Sequence, residues 1–223
     1  MAITDPSTSQ WLVWQLVDSA FPTGGFAHSL GLEAAWQHGE VRGRDELVEF
    51  AEASLDQLGH GSLPFVLAAF DEDEEIPDLD RLCEAFLINH VANRASRAQG
   101  RALLAAVDRI FPTTGASLAL SAWPFGHFAP AFGACLRRLE MPRETAGRLF
   151  FFNHLRSVLA AAVRLNIVGP MEAQVLLRRL SPAAETAFQT CAALTIEEIA
   201  QTAPLLDLWQ GTQDCLYSRL FQS

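Results

Sequence analysis

The sequence predicts an all-α, single-domain fold, and three observations carry that prediction. Apolar residues recur at helical spacing in one segment after another, and no stretch sustains period-two alternation. The remaining apolar runs are too rich in Ala and Leu, and too long, for strands. The 223 residues suffice for one good core, half of them are apolar, and the acidic block at 71–75 separates no two compositions. A bundle of roughly nine to eleven helices over 1–223 is therefore expected, with 1–9 a loose polar lead-in.

The elements follow in order. Residues 11–20 carry apolar side chains at 12, 13, 16, 17 and 20, then stop at Phe21-Pro22-Thr23-Gly24-Gly25-Phe26, a sharp turn in which either glycine can take φ > 0. A short helix over 29–38 ends at Gly39. Segment 44–58 sets Leu47, Val48, Phe50, Ala51, Leu55 and Leu58 on one broad face and breaks at Gly59-His60-Gly61. Segment 63–70 continues helically, since Pro64 is tolerated in a first turn. The acidic block reads as a solvated loop, with a metal or partner site as the alternative. Pro77 opens one long pattern to Ile110 in which Gly100 is a weak point. Further helices fit 115–122, 128–139, 142–165, 171–180 and 182–200.

Composition excludes several functions. A net charge of −10 argues against nucleic acid as a partner, because phosphate binding needs clustered cations. All 16 basic residues are Arg, so neither a P-loop lysine nor a Schiff-base lysine exists in this chain. The four cysteines are far apart without a C-x-x-C pair, and the start lacks a basic region followed by an apolar run. Free, mostly buried thiols in a cytoplasmic protein are expected. The most apolar stretch, 149–168, is interrupted by His154, Arg156 and Arg164, so no membrane span is expected.

The local signatures of catalysis are missing: no H-E-x-x-H, G-x-S-x-G, G-x-x-x-x-G-K-[ST] or strand-linked G-x-G-x-x-G. His28, His38, His60, His90, His127 and His154 form no i, i+3 or i+4 pair. No catalytic residue and no tightly bound metal or cofactor is assigned. A site assembled only in three dimensions stays open, and with it an all-helical metal-dependent hydrolase with dispersed His ligands.

Several features stand out instead. Apolar content this high, with 15 Phe and 5 Trp, suits either a generously packed bundle or a surface that faces other proteins. Arg94, Arg97 and Arg101 share one helical face and can meet carboxylates in the fold, meet them on a partner, or stay solvated. Leu149-Phe150-Phe151-Phe152 sets three aromatics about 100° apart, which suits a central helix with one edge at a homodimer seam. The segment Leu216-Tyr217-Ser218-Arg219-Leu220-Phe221 is apolar where chain ends usually turn polar, so it needs burial, either on a partner or on its own chain.

These islands together resemble the UreF-type urease accessory protein family. The matching text is Phe21-Pro22-Thr23-Gly24-Gly25-Phe26-Ala27-His28-Ser29-Leu30-Gly31-Leu32-Glu33, then Asn93-Arg94-Ala95-Ser96-Arg97-Ala98-Gln99-Gly100. Arg164-Leu165-Asn166 with Gly169-Pro170, Pro204-Leu205-Leu206-Asp207 and the closing 216–223 complete it. Ala27-His28-Ser29 stands where the common bacterial form has Ser-Tyr-Ser, and looks like the plant variant. Thr212-Gln213-Asp214 stands where that form has Arg-His-Glu, which removes a metal or ionic role for that His-Glu pair.

The resemblance implies an all-α cytoplasmic homodimer that binds a UreD-type protein (also called UreH), recruits the UreG-type GTPase and passes nickel toward apo-urease. It implies a non-catalytic scaffold, with nickel at most in transit. Tyr217, Arg219, Leu220 and Phe221 become the expected contacts to the UreD-type partner. Phe26 and His28 are candidates for the GTPase-facing surface, and His28 and Glu33 for a nickel route, a structural role being the alternative for Glu33. Arg148 and Phe152, four apart on one face, are the dimer candidates. A helical adaptor of the same fold serving another metalloenzyme is the remaining alternative.

Overall fold

The computed structural model describes residues 6–71, 76–112 and 123–223. Among them lie ten α-helices and no strand: α1 (Pro6–Val17), α2 (Leu32–Gln37), α3 (Arg44–Gly61), α4 (Leu63–Asp71), α5 (Ile76–Phe86), α6 (His90–Ile110), α7 (Phe128–Arg138), α8 (Arg143–Arg164), α9 (Pro170–Cys191) and α10 (Pro204–Gly211). Short 3-10 turns occupy Gly25–Ala27, Ile196–Glu198 and Gln213–Cys215. The expected helix over 115–122 and most of the acidic block lie outside the described residues.

Four expected boundaries are corrected, each for a physical reason. Helix α1 starts at Pro6, inside the stretch read as a lead-in, and stops at Val17, where Asp18 Oδ1 accepts the Ala20 N–H at 3.0 Å. Helix α3 runs through Gly59 to Gly61 rather than breaking there. A Cβ on Gly59 would lie 2.8 Å from Cys191 Sγ, so that glycine lets α3 approach α9.

The single pattern from 77 to 110 is two helices, α5 and α6. Asn89 separates them by capping α6, its Oδ1 accepting the N–H groups of Val91 and Ala92 at 3.0 and 3.3 Å. Conversely, the expected pair over 171–180 and 182–200 is one helix, α9, which ends at Cys191. Pro182 removes a hydrogen bond to the Arg178 carbonyl, yet both residues are exposed, so water takes the freed oxygen and the helix continues.

Helix α8 is the central element and touches α1, α2, α3, α4, α7 and α9. Of its three consecutive aromatics, Phe150 and Phe151 are buried and Phe152 is 37% exposed. Helix α7 packs between α4 and α6 through a small-residue face of Ala131, Gly133 and Ala134. Its N-terminus is fixed by Asp80, a buried carboxylate that accepts the N–H groups of Phe125, Gly126 and His127 at 2.7–2.9 Å. No described helix is long and apolar enough to cross a membrane. All four thiols are free, with Cys83, Cys135 and Cys191 buried and Cys215 exposed. Burial pushes Cys135 up to about 12, which keeps that thiol protonated.

His154 on α8 pairs with Ser54 on α3, Nε2 to Oγ at 2.5 Å. Burial pulls its pKa from 6.5 down to about 4, so the folded chain holds it neutral while the unfolded chain protonates it below pH 6.5. Unfolding then takes up a proton between those values, and stability falls as pH falls through that window. Urea unfolding at pH 7 and pH 4.5 should differ by roughly 2 kcal/mol from this group, and His154→Phe should flatten the difference.

Candidate functional site

Residues 216–223 fold back onto the loop that follows the glycine turn, and one carboxylate organises the contact. Glu33 sits in the first turn of α2 and is buried. Its Oε1 accepts the Leu220 N–H at 2.6 Å, and its Oε2 accepts the Phe221 N–H at 3.1 Å and the Gln213 amide at 2.7 Å. Three donors on one buried carboxylate offset the cost of removing its charge from water.

The preceding loop supplies backbone partners. The Gln222 N–H donates to the Ala27 carbonyl at 2.8 Å, and the Ser29 N–H donates to the Ser223 carbonyl at 2.5 Å. Ser29 Oγ donates to that carbonyl at 3.1 Å, while His28 Nδ1 lies 2.5 Å from Ser223 Oγ. Burial, with Arg94 nearby, lowers the His28 pKa. Leu30 and Gly31, at φ 57 and φ 87, turn the chain sharply from this loop into α2. Gly31 also lets α10 approach, because a Cβ there would lie 3.1 Å from Gln210 Cβ.

Two arginines clamp the edges. Arg94 makes a two-pronged pair with Asp214, both bonds 2.9 Å, and Arg219 reaches the same carboxylate at 3.0 Å. The hydrogen bond from Arg94 lowers the Asp214 pKa. Arg164 lies between two rings, its guanidinium 4.0 Å from the centroids of both Phe26 and Phe221, and donates to the Phe26 carbonyl at 2.5 Å. In the sequence Arg164 stands only as part of a motif, with no role of its own. Its two rings lie far away in the chain, and no local pattern announces such a stack.

The docked segment has two faces. Phe221 and Ser223 are buried, whereas Tyr217 is fully exposed, Leu220 is 60% exposed and Phe26, across Arg164 from Phe221, is 70% exposed. Arg219 remains partly exposed. Four of the expected contact residues thus divide, with Tyr217, Arg219 and Leu220 facing outward and Phe221 inward.

The other candidates lie elsewhere. Arg97 stacks over the Phe125 ring at 5.2 Å and reaches Glu84 at 3.7 Å, and Arg101 donates to the Phe125 carbonyl at 2.9 Å. Each arginine of the basic stripe thus has a partner within the fold, and all three side chains remain partly exposed. Arg148 binds Glu185 and Glu144 and lies over the Phe188 ring at 4.9 Å, one turn from exposed Phe152. The histidines are engaged one by one: His38 with Thr212, His60 with Asp56, His90 with Asp214, and His127 with Ser96 and Glu84. Among the described residues, no three His, Cys, Asp or Glu side chains gather as a metal-holding group.

Comparison with known proteins shows the family. The UreF family model matches residues 41–181. Urease accessory protein F of Arabidopsis thaliana is 42% identical over 97% of this chain and 94% of its own length. Urease accessory protein F of Oryza sativa subsp. japonica is 40% identical over 96% of this chain and 85% of its own. Urease accessory protein UreF of Paenarthrobacter aurescens is 30% identical over 97% of this chain and 99% of its own. The chain belongs to the UreF family of urease accessory proteins.

Proposed function

We propose that this chain is a non-catalytic scaffold for urease maturation in the cytoplasm. It binds a UreD-type protein, recruits and regulates a UreG-type GTPase, and helps pass nickel toward apo-urease without holding the metal tightly. The observation that carries this reading is the two-faced segment, in which buried hydrogen bonds fix the backbone at Leu220 and Phe221 while the side chains of Tyr217 and Leu220 stay exposed. An apolar patch on a pre-ordered base loses little conformational entropy on docking. Tyr217, Arg219 and Leu220 are the contacts to the UreD-type partner, with Phe221 as their inward anchor. Phe26, backed by His28, faces the GTPase. Glu33 acts as the floor of the docked segment. Arg148 positions the α8 edge at which Phe152 meets a second copy in a homodimer.

Complementation tests this reading. A ureolytic host lacking its own UreF-type gene should regain urease activity when supplied with this chain, nickel and the remaining accessory proteins. Expression of folded chain without any regained activity would refute the assignment.

A further inference from the structure

An open groove of about 330 Å³ runs along the seam between α3 and α9. Its α9 wall carries Ala183, Thr186, Ala187 and Thr190, which share one helical face at i, i+3, i+4 and i+7. These side chains are small, and the side chains at a contact set the distance between packed helices, so another helix can come close here. Both threonine hydroxyls donate to carbonyls of their own helix, Thr186 to Pro182 and Thr190 to Thr186, each at 2.9 Å. That wall therefore offers an occupant no free hydroxyl donor.

The α3 wall decides what fits. Glu52 and Asp56 line the groove and continue a row of exposed carboxylates that starts at Asp45 and Glu49. The row steps by four, three and four residues, so it keeps to one face over about 16 Å. Asp56 meets His60 at 3.4 Å, while Asp45, Glu49 and Glu52 have no cation partner among the described residues. Arg178 and Arg179, about one turn before Ala183, pair with none of the row among those residues. Other surface carboxylates are answered: Asp71 by Arg143, Glu185 by Arg148 and Asp214 by Arg94.

Like charges one turn apart destabilise a helix. The dipole of α3 offsets this for Asp45 in the first turn, but its effect fades before Glu52 and Asp56. Folding of this chain alone gives no reason for the row.

We propose that this groove docks a helix of a partner protein that carries Lys or Arg at the same spacing and small residues on the edge meeting α9. The row supplies acceptors along one rail, and the occupant supplies the cations that the row lacks. None of these residues holds the 216–223 segment, so the surface is additional to the one carried by Tyr217 and Leu220.

Fluorescence polarisation tests the site, with the purified full chain titrated into two labelled, alanine-based helical peptides. One carries lysine at the spacing of the row, and the other carries glutamate at the same positions. The lysine peptide should bind and the glutamate peptide should not. Glu49→Gln with Glu52→Gln should weaken binding about fivefold, the worth of two exposed ion pairs. Asp78→Asn with Asp108→Asn changes the net charge equally at exposed positions on α5 and α6, and should weaken it less than about twofold because salt screens distant charges. Thr186→Trp, at an exposed position on the α9 wall, should block binding by filling the groove. Binding of neither peptide, equal binding of both, equal losses in the two charge variants, or binding unchanged by Thr186→Trp would overturn the proposal. The comparison of the peptides needs no variant, so it stands even where a substitution disturbs folding.

Discussion

Glu33→Ala is expected to release residues 216–223 from the body of the chain while leaving the helical bundle folded. The substitution strips three donors of their acceptor: the N–H groups of Leu220 and Phe221 and the Gln213 amide. Each bond to a charged group contributes about 1.5–3 kcal/mol, but the freed donors regain water once the segment lifts away. A net local loss of about 3 kcal/mol is expected, close to a hundredfold in the opening equilibrium. Hydrogen exchange at Leu220 and Phe221 reads it directly, and their protection should fall by about that factor. Buried amides in α8 should exchange as before. Glu33→Gln should fall between the two, because it keeps one acceptor oxygen and introduces a donor facing donors.

Gly133→Ala is expected to lower the stability of the whole chain, against the helix propensity of the two residues. Propensity alone favours Ala by about 1 kcal/mol in a helix interior. Packing decides the sign here. A Cβ at position 133 would lie 2.0 Å from the Val66 carbonyl oxygen, 2.9 Å from its carbon and 3.1 Å from the Phe70 nitrogen. All three are backbone atoms of α4, so no side chain can swing aside, and α7 must move away from α4 by about an ångström or more. Overpacking of this kind costs on the order of 4 kcal/mol, which leaves a net loss of about 3 kcal/mol. Thermal unfolding should shift down by about 10 °C in a chain of this size. Gly169→Ala, where a Cβ meets nothing within 4 Å, should change stability by under about 1 kcal/mol.

The helical character of the chain was legible because amphipathic spacing survives in almost every segment. Two of the boundaries that failed depend on surroundings that no local window contains. Gly59 reads as a breaker until Cys191 is seen against it, and Pro182 reads as a stop until Arg178 is seen facing water. Gly100 reads as a weak point, yet a Cβ there would lie 2.2 Å from the Gly126 carbonyl oxygen, so it marks the close approach of α6 to the start of α7.

The same division applies to the docked segment. Its apolar character and need for burial follow from sequence, as does the singling out of Phe26, His28 and Glu33. That Glu33 accepts the Phe221 N–H across 188 positions, or that Arg94 meets Asp214 across 120, follows only from the fold. Asp214 also shows what the departure at 212–214 accomplishes in this chain. Gln213 supplies a buried amide to Glu33, and Asp214 gathers Arg94 and Arg219, so the positions remain tied to the docked segment through different chemistry.

The central claim is that the outward face of the docked segment, rather than its buried base, meets the UreD-type partner. Co-purification of that partner with the full chain and with a Tyr217→Ser, Leu220→Ser double variant tests it most directly. Both side chains are exposed, so the variant should fold normally and keep the Phe221 amide protected. Recovery of the partner should fall at least tenfold, a loss of about 1.4 kcal/mol or more at a docking hot spot. Undiminished recovery, with the Phe221 amide still protected, would contradict the account.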